Sequence, residues 1–209
     1  MLRTNFNISV SLFVVLLSLT SAYAGDNPDE VKRRIGGGDP VAGKDRSVLC
    51  QGCHGEDGNS MVPNFPKLTG QYAEYLVRQI KNFQAGSRSD PTMTEMAATV
   101  TNPKDMNDIA AYFASQNSMS GTAAIHEAGQ KLALSYGCIN CHGEDGKGKP
   151  AYNSIFPVIG GQHKDYLLKQ LNDFKTAVRD TDMSGTMGDV TNRMTDAEMD
   201  AVAEYFSGL

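Results

Sequence analysis

Apolar residues recur at helical spacing through most of the chain. Tyr72, Leu76, Ile80 and Phe83 follow one another at intervals of four, four and three residues, which is the period of one face of an α-helix. Gly86 comes soon after, where a glycine typically ends a helix. No segment alternates β-branched and polar residues as a half-buried strand would. The pattern therefore predicts an all-α protein.

Capping residues mark other predicted helices. Asp39-Pro40 and Asn102-Pro103 each place a capping side chain before a proline at the first helical position. Thr195, with Glu198 three residues later, forms a capping-box sequence. The helix that begins after Asp39 is expected to continue into the first cysteine motif. The predicted buried stripes of the last helix in each half are Met106, Ile109, Ala110 and Phe113, and Met199, Val202, Ala203 and Phe206.

The first 24 residues have the pattern of a targeting segment and not that of a folded domain. Arg3 precedes an apolar run from Ile8 to Leu19, and Ala22-Tyr23-Ala24 places small residues before Gly25. A run of about 12 residues is too short for a transmembrane helix, which needs about 20. This order of charge, apolar run and small residues is typical of a secretory signal peptide. We expect cleavage after Ala24 and a mature chain without a transmembrane span; an uncleaved anchor is the alternative.

The remainder of the chain contains an internal repeat. Residues 50–58 and 138–146 share the pattern C-x-x-C-H-G-E-D-G, 88 residues apart. Further matches follow at intervals of 91 and 93 residues. Two copies of a unit of about 80 to 90 residues indicate two small domains, and a polar stretch between them is the natural linker. The predicted organisation is a signal peptide at 1–24, a flexible leader at 25–38, domains at 39–114 and 123–209, and a linker at 115–122.

The composition narrows the class of protein. The 209 residues include 24 acidic and 19 basic side chains, for a formal charge of −5, and removal of residues 1–24 makes the chain more negative by one unit. A nucleic-acid-binding function is disfavoured, because no net positive charge is available to neutralise phosphates. Four cysteines are too few to build a disulfide-based fold of this length.

The motif C-x-x-C-H is the attachment sequence for haem in c-type cytochromes. Two thiols three residues apart can each form a thioether with one haem vinyl group, and the adjacent histidine then lies over the iron. A thioredoxin-like site would need an α/β context, a zinc ribbon would need its cysteine pairs about 15–20 residues apart, and a disulfide between such close cysteines would contribute little. The candidate residues are Cys50, Cys53 and His54, and Cys138, Cys141 and His142.

Methionine is the second axial ligand typical of electron carriers, and the chain contains ten. The repeated Tyr-Phe dipeptides provide a reference for choosing among them. Met93 lies 19 residues before Tyr112, and Met187 lies 18 residues before Tyr205, so these two methionines form the better matched pair. The other candidates are Met96 and Met183, whereas Met106, Met194 and Met199 are interpreted as core residues.

With both motifs, the repeated F-P-x-(L/I)-x-G-Q segments and Asp108–Phe113, the chain resembles the dihaem cytochrome c4 family of bacterial periplasmic electron carriers. The resemblance implies two class I cytochrome c domains, each about three main helices around a covalently bound haem, that meet at a pseudo-twofold interface near the haem propionates. It also implies covalent attachment at Cys50, Cys53, Cys138 and Cys141, iron ligation by His54 with Met93 and by His142 with Met187, and acceptance of the histidine hydrogen bonds by Pro66 and Pro157.

The function that the resemblance implies is electron transfer from a quinol-oxidising cytochrome bc complex to a terminal oxidase or another periplasmic acceptor. No catalytic residue is expected, because two fully ligated haems leave no open coordination position. An acidic carrier favours a partner with a positive docking patch, and their association should weaken with salt. The alternative is the cytochrome subunit of a flavocytochrome sulfide dehydrogenase. Peripheral association with a membrane is the alternative to a freely diffusing carrier.

Overall fold

The structure is a computed structural model that describes residues 26–121, 126–149, 155–182 and 184–209. Within these ranges the only extended pairing is an isolated antiparallel β-bridge, so the all-α prediction is confirmed. The helices are α1 (Pro28–Ile35), α2 (Pro40–Arg46), α3 (Val48–His54), α4 (Ala73–Gln84), α5 (Pro91–Ala98), α6 (Pro103–Ser115), α7 (Glu127–Ser135), α8 (Cys138–His142), α9 (Lys164–Lys175), α10 (Thr186–Thr191) and α11 (Asp196–Gly208).

The predicted caps begin helices at the expected positions. The side chains of Asp39 and Asn102 accept hydrogen bonds from first-turn amides of α2 and α6, each behind a proline. At the start of α11, Thr195 and Glu198 each accept from the other's backbone amide, which completes the capping box. These contacts are local, and local sequence was therefore sufficient to predict them.

The expected single helix leading into the first cysteine motif is divided in two. Helix α2 ends at Arg46, and the buried Ser47 donates its hydroxyl hydrogen to the carbonyl of Lys44. A serine that bonds to the preceding turn competes with the regular helical pattern. The motif then lies on the separate helix α3, and in the second domain the motif likewise lies on its own helix, α8.

Each domain is built around a close pair of helices, α2 with α6 and α7 with α11. A Cβ atom at Gly43 would overlap the backbone oxygen of Asp108, and one at Gly129 would overlap that of Ala201. Glycine is therefore required at both crossings. The two stripes predicted for α6 and α11 are buried, as are the predicted core methionines Met106, Met194 and Met199.

Residues outside the two repeats are also structured. The leader, which the sequence indicates as flexible, contains helix α1, and its Arg34 is only 2% exposed. Met119 of the linker is 1% exposed and packs with Tyr72 and Val158. The leader helix packs against α4 and α6 of the first domain, whereas Met119 lies between the two domains.

Some predictions concern residues that the structure does not describe, namely the signal peptide at 1–24 and the alternative ligand Met183. Across the ranges that are described, none of the helices has both the length and the apolar character needed to cross a membrane. The exact boundaries of the two domains stay a prediction.

Candidate haem-binding site

A cavity of about 770 Å³ lies between the domains and reaches both cysteine motifs. Its size falls within the range of ligand and cofactor sites. Apolar side chains from α4, α6, α9 and α11, such as Phe83 and Phe174, line its walls. The residues of the two motifs that line it are Cys50, Cys53 and His54, and Cys138, Cys141 and His142. A large, mainly apolar cofactor attached at each motif fits this cavity.

The two motif histidines are held in the same way. His54 Nδ1 lies 2.8 Å from the carbonyl oxygen of Pro66, and His142 Nδ1 lies 3.0 Å from that of Pro157. A carbonyl can only accept, so Nδ1 carries the proton and Nε2 keeps its lone pair for a metal. Burial lowers the pKa of both histidines more than these hydrogen bonds raise it. The neutral imidazole, which is the form that binds iron, is thereby favoured.

The cysteines do not have the properties of a redox pair. Burial raises the pKa of the Cys50 thiol, and it raises that of Cys138 to about 11. Reactive cysteines of thioredoxin-like sites have lowered pKa values instead. The electrostatics of the motifs therefore disfavour the thioredoxin-like alternative and agree with haem attachment.

Met93 on α5 and Met187 on α10 both line the cavity. The amide of Met93 donates to the Asp90 carboxylate at 3.1 Å, and the amide of Met187 donates to the Asp182 carboxylate at 2.9 Å. Four residues after each methionine comes a fully buried residue, Ala97 at 1% and Thr191 at 0% exposure. The helices α5 and α10 therefore share one register, in which Met93 corresponds to Met187.

Met96 also lines the cavity, one turn further along α5. In the same register its counterpart on α10 is Val190, which lines the cavity as well. Valine cannot bind iron, so the second domain offers no ligand at that position. The shared register supports Met93 over Met96. Neither short helix had been predicted from the sequence.

Reciprocal hydrogen bonds join the two domains. The Gln71 amide group donates to the carbonyl of Val158 and accepts from its backbone amide, each at 2.9 Å. Gln162 makes the same pair of bonds with Lys67, each at 2.9 Å. The residues of each pair lie 91 residues from their counterparts, so the repeats face each other in a twofold-like arrangement.

Two arginines lie at the centre of this interface. Arg88 donates to Gln79 of its own domain and to Tyr166 and Gln170 of the other. Arg179 donates in turn to Gln170 of its own domain, and to Tyr75 and Gln79 of the other. Both line the cavity and are 8% and 7% exposed.

Among the described residues neither arginine takes part in a salt bridge, although the Asp173 carboxylate attracts Arg88 from a longer distance. In the part of the chain that the structure describes, the hydrogen-bond partners of both guanidinium groups are neutral amides and hydroxyls. Buried like charges without a counterion are costly. Haem carries two carboxylates, and a haem with these groups at this end of the cavity would balance the two charges.

The sequence analysis found the 91-residue repeat interval but did not select the two arginines. Arg88 and Arg179 are separated by the same 91-residue interval as the other interface pairs. The repeat interval was therefore the sequence signal that could have identified them. Their burial at a shared interface could only be observed in the structure.

Two helical domains, each with a C-x-x-C-H motif, a proline-bound histidine and a cavity-lining methionine, define a two-domain c-type cytochrome. Comparison with known proteins identifies the family. The cytochrome c family profile matches residues 42–117 and 126–209. Cytochrome c4 of Pseudomonas aeruginosa is 38% identical over 184 residues, covering 82% of this chain and 89% of that protein. This chain belongs to the cytochrome c4 family of dihaem electron carriers, with a haem c bound covalently at each motif.

Solved structures agree with this assignment. The crystal structure of reduced recombinant cytochrome c4 from Pseudomonas stutzeri superimposes with a TM-score of 0.76 at 37% identity, covering 82% of this chain and 99% of that chain. A protein of Stutzerimonas stutzeri strain A1501 named thiosulfate dehydrogenase electron acceptor is 34% identical over 187 residues, covering 83% of this chain and 82% of its own. The relatives of this chain thus include a cytochrome c4 of known structure and a protein named as an electron acceptor.

Proposed function

We propose that the chain is a periplasmic one-electron carrier in which each haem iron has one histidine and one methionine ligand. His54 and Met93 would bind the first iron, and His142 and Met187 the second. The observation that carries the proposal is that all four residues line one cavity. In addition, Nδ1 of each histidine is hydrogen-bonded to a proline carbonyl, which leaves Nε2 for the iron. With two protein ligands on each iron, neither iron would be open to a substrate.

The bound haem supplies a one-electron change at its iron. The protein provides the environment in which the iron changes oxidation state. Pro66 and Pro157 orient the histidines, apolar walls exclude water, and Arg88 and Arg179 would bind the carboxylates of the haem side chains at the domain interface. Each arginine is hydrogen-bonded to both domains, so the same arginine pair would bind carboxylates of both haems.

Absorption spectroscopy tests the ligation directly. We expect a low-spin c-type spectrum in the reduced protein and a weak methionine-to-iron band in the oxidised protein. Carbon monoxide should not bind at neutral pH, because no coordination position is free. A high-spin spectrum, or rapid carbon monoxide binding, would contradict ligation of both irons by methionine.

We propose as donor a quinol-oxidising cytochrome bc complex and as acceptor a terminal oxidase or another periplasmic redox protein. The net negative charge supports a partner with a positive docking patch. Mixing the oxidised protein with purified bc complex and quinol should give reduction that slows as salt is added. No reduction by the complex, with rapid reduction by a thiosulfate dehydrogenase, would reassign the donor. Stable co-purification with a flavoprotein would instead favour the flavocytochrome alternative.

Export is part of the same proposal. The N-terminal pattern supports cleavage after Ala24, which would place the protein in the periplasm. Sequencing of the mature N-terminus should begin at Gly25. A chain that retains Met1 and fractionates with the membrane would indicate an uncleaved anchor.

A further inference from the structure

The linker passes between two turns that correspond in the repeat. Gly70 of the first domain lies so close that a Cβ would be 2.6 Å from the Cα of Ser118. Gly161 of the second domain would place a Cβ 2.6 Å from the amide nitrogen of Ser120. Thr69 also donates its hydroxyl hydrogen to the carbonyl of Asn117 at 2.6 Å. The segment 117–120 is therefore a strap seated on both domains.

The centre of this strap is buried. Met119 is 1% exposed between Tyr72 of the first domain and Val158 of the second. The Lys67 ammonium donates to the carbonyl of Ser120 at 3.2 Å and to that of Gly161 at 2.7 Å. A displacement of the strap would therefore disturb contacts that hold both domains together.

The leader helix α1 clamps one end of the strap. Arg34 donates from Nη2 to Asp26 at 2.6 Å and from Nη1 to the Ser118 hydroxyl at 2.6 Å. Asp26 accepts from both the amide and the hydroxyl of Ser118, at 2.8 and 2.9 Å. Arg34 also donates to the carbonyl of Gln116 at 3.1 Å. Arg34 is nearly inaccessible, so this ion pair is well shielded from solvent.

The three side chains of the clamp lie outside both family matches. The family profile matches residues 42–117 and 126–209, whereas Asp26 and Arg34 precede the first match and Ser118 follows it. The clamp is therefore made by side chains that neither family match includes. It connects to them through the backbone of the strap.

We propose that Arg34 is a positioning residue for electron exchange between the two haems. It holds Ser118, Ser118 fixes the strap, and the strap sets how the domains meet. This inference rests on the proposed dihaem carrier function, because domain placement determines the separation of the two haems. Loss of the clamp would leave each haem ligated but widen the range of domain arrangements.

The test compares Arg34→Gln with Arg33→Gln in the full-length holoprotein. Arg33 is the exposed neighbour on the same helix and serves as the matched control. In Arg34→Gln we expect the Ser118 and Met119 amides to exchange with solvent at least about tenfold faster, the factor for a local opening made 1.4 kcal/mol easier. We also expect slower electron re-equilibration between the haems after pulse reduction, with recovery in Arg34→Lys.

Unchanged electron re-equilibration in Arg34→Gln, whatever the amide exchange, would overturn the positioning role. An equal loss in Arg33→Gln would also overturn it, since the effect would then not depend on the clamp. If Arg34→Gln yields no holoprotein, Ser118→Ala removes the same hydroxyl contacts from the strap side and is measured in the same way. The methionine-to-iron bands report separately on the ligation, so failure of the proposed ligands is distinguishable from failure of the clamp.

Discussion

Arg88 and Arg179 meet across the domain interface as an antiparallel β-bridge. Each guanidinium lies over a phenylalanine of its own domain, 4.6 Å from the ring centre of Phe83 or Phe174. Each also donates to the glutamine of the opposite domain. A change in either arginine is therefore transmitted to both halves of the molecule.

Replacement of Arg88 by Gln should lower the midpoint potentials of both haems. Removing a buried cation disfavours the added electron, and a change of about 1.4 kcal/mol corresponds to about 59 mV for a one-electron couple. We expect decreases of this order from Arg88→Gln and from Arg179→Gln. The exposed Arg193→Gln is the control and should leave both potentials near those of the wild type. A decrease confined to one haem would contradict a shared arginine pair.

Substitution of the candidate ligands should distinguish Met93 from Met96. Met93→Ala is expected to remove about half of the methionine-to-iron band and to make one haem bind carbon monoxide, since one of the two irons would lose its proposed sulfur ligand. Met96→Ala should retain the full band. The oxidised-state spectrum of each variant decides the question, and the reverse result would identify Met96 as the ligand. Met187→Ala should produce the same loss in the second domain.

Gly43→Ala should destabilise the first domain. The added methyl group would overlap the Asp108 carbonyl where α2 crosses α6, and overpacking of this kind costs about 1–3 kcal/mol or more. Gly52→Ala is a matched control, because no atom outside its own helix and adjacent residues lies within 4 Å of its Cβ position, and alanine favours a helix over glycine by about 1 kcal/mol. Guanidinium unfolding measures both free energies. Equal stability of the two variants would mean that α2 and α6 can move apart to accommodate the added methyl group at little cost.

The leader clamp should be released in acid. Burial opposes ionisation of Asp26, but hydrogen bonds from Arg34 and Ser118 outweigh it, so the Asp26 pKa lies below its ordinary value of 3.8. Its carboxylate therefore stabilises the fold above pH 3.8 and loses that contribution as the pH falls through the lowered folded pKa. Pepsin cleavage at the linker should accelerate in that range.

Asp26→Asn is the control for this acid release. It lacks the titrating group, so its linker should be cleaved readily without a step at that pH. If linker cleavage shows the same pH profile in the wild-type protein and in Asp26→Asn, the titration of other carboxylates controls it, and the titration of Asp26 does not.

Much of the fold follows from local sequence signals. The caps at Asp39, Asn102 and Thr195 act within one turn, and the buried stripes of α6 and α11 follow from helical spacing. The division between α2 and α3 was not predicted, because it depends on how Ser47 is buried against the rest of the domain. Helices α5 and α10 are too short for apolar periodicity to reveal them.

The sequence by itself determined two haem attachment motifs, their histidines, the repeat and the helical class, because each depends on residues close together in the chain. Tertiary structure decided which methionines share a register, that Arg88 and Arg179 form one buried pair, and that Arg34 reaches the linker. These features depend on contacts between residues far apart in sequence and on the removal of charges from water. Repeat intervals show which residues correspond, but only folding determines whether corresponding residues meet.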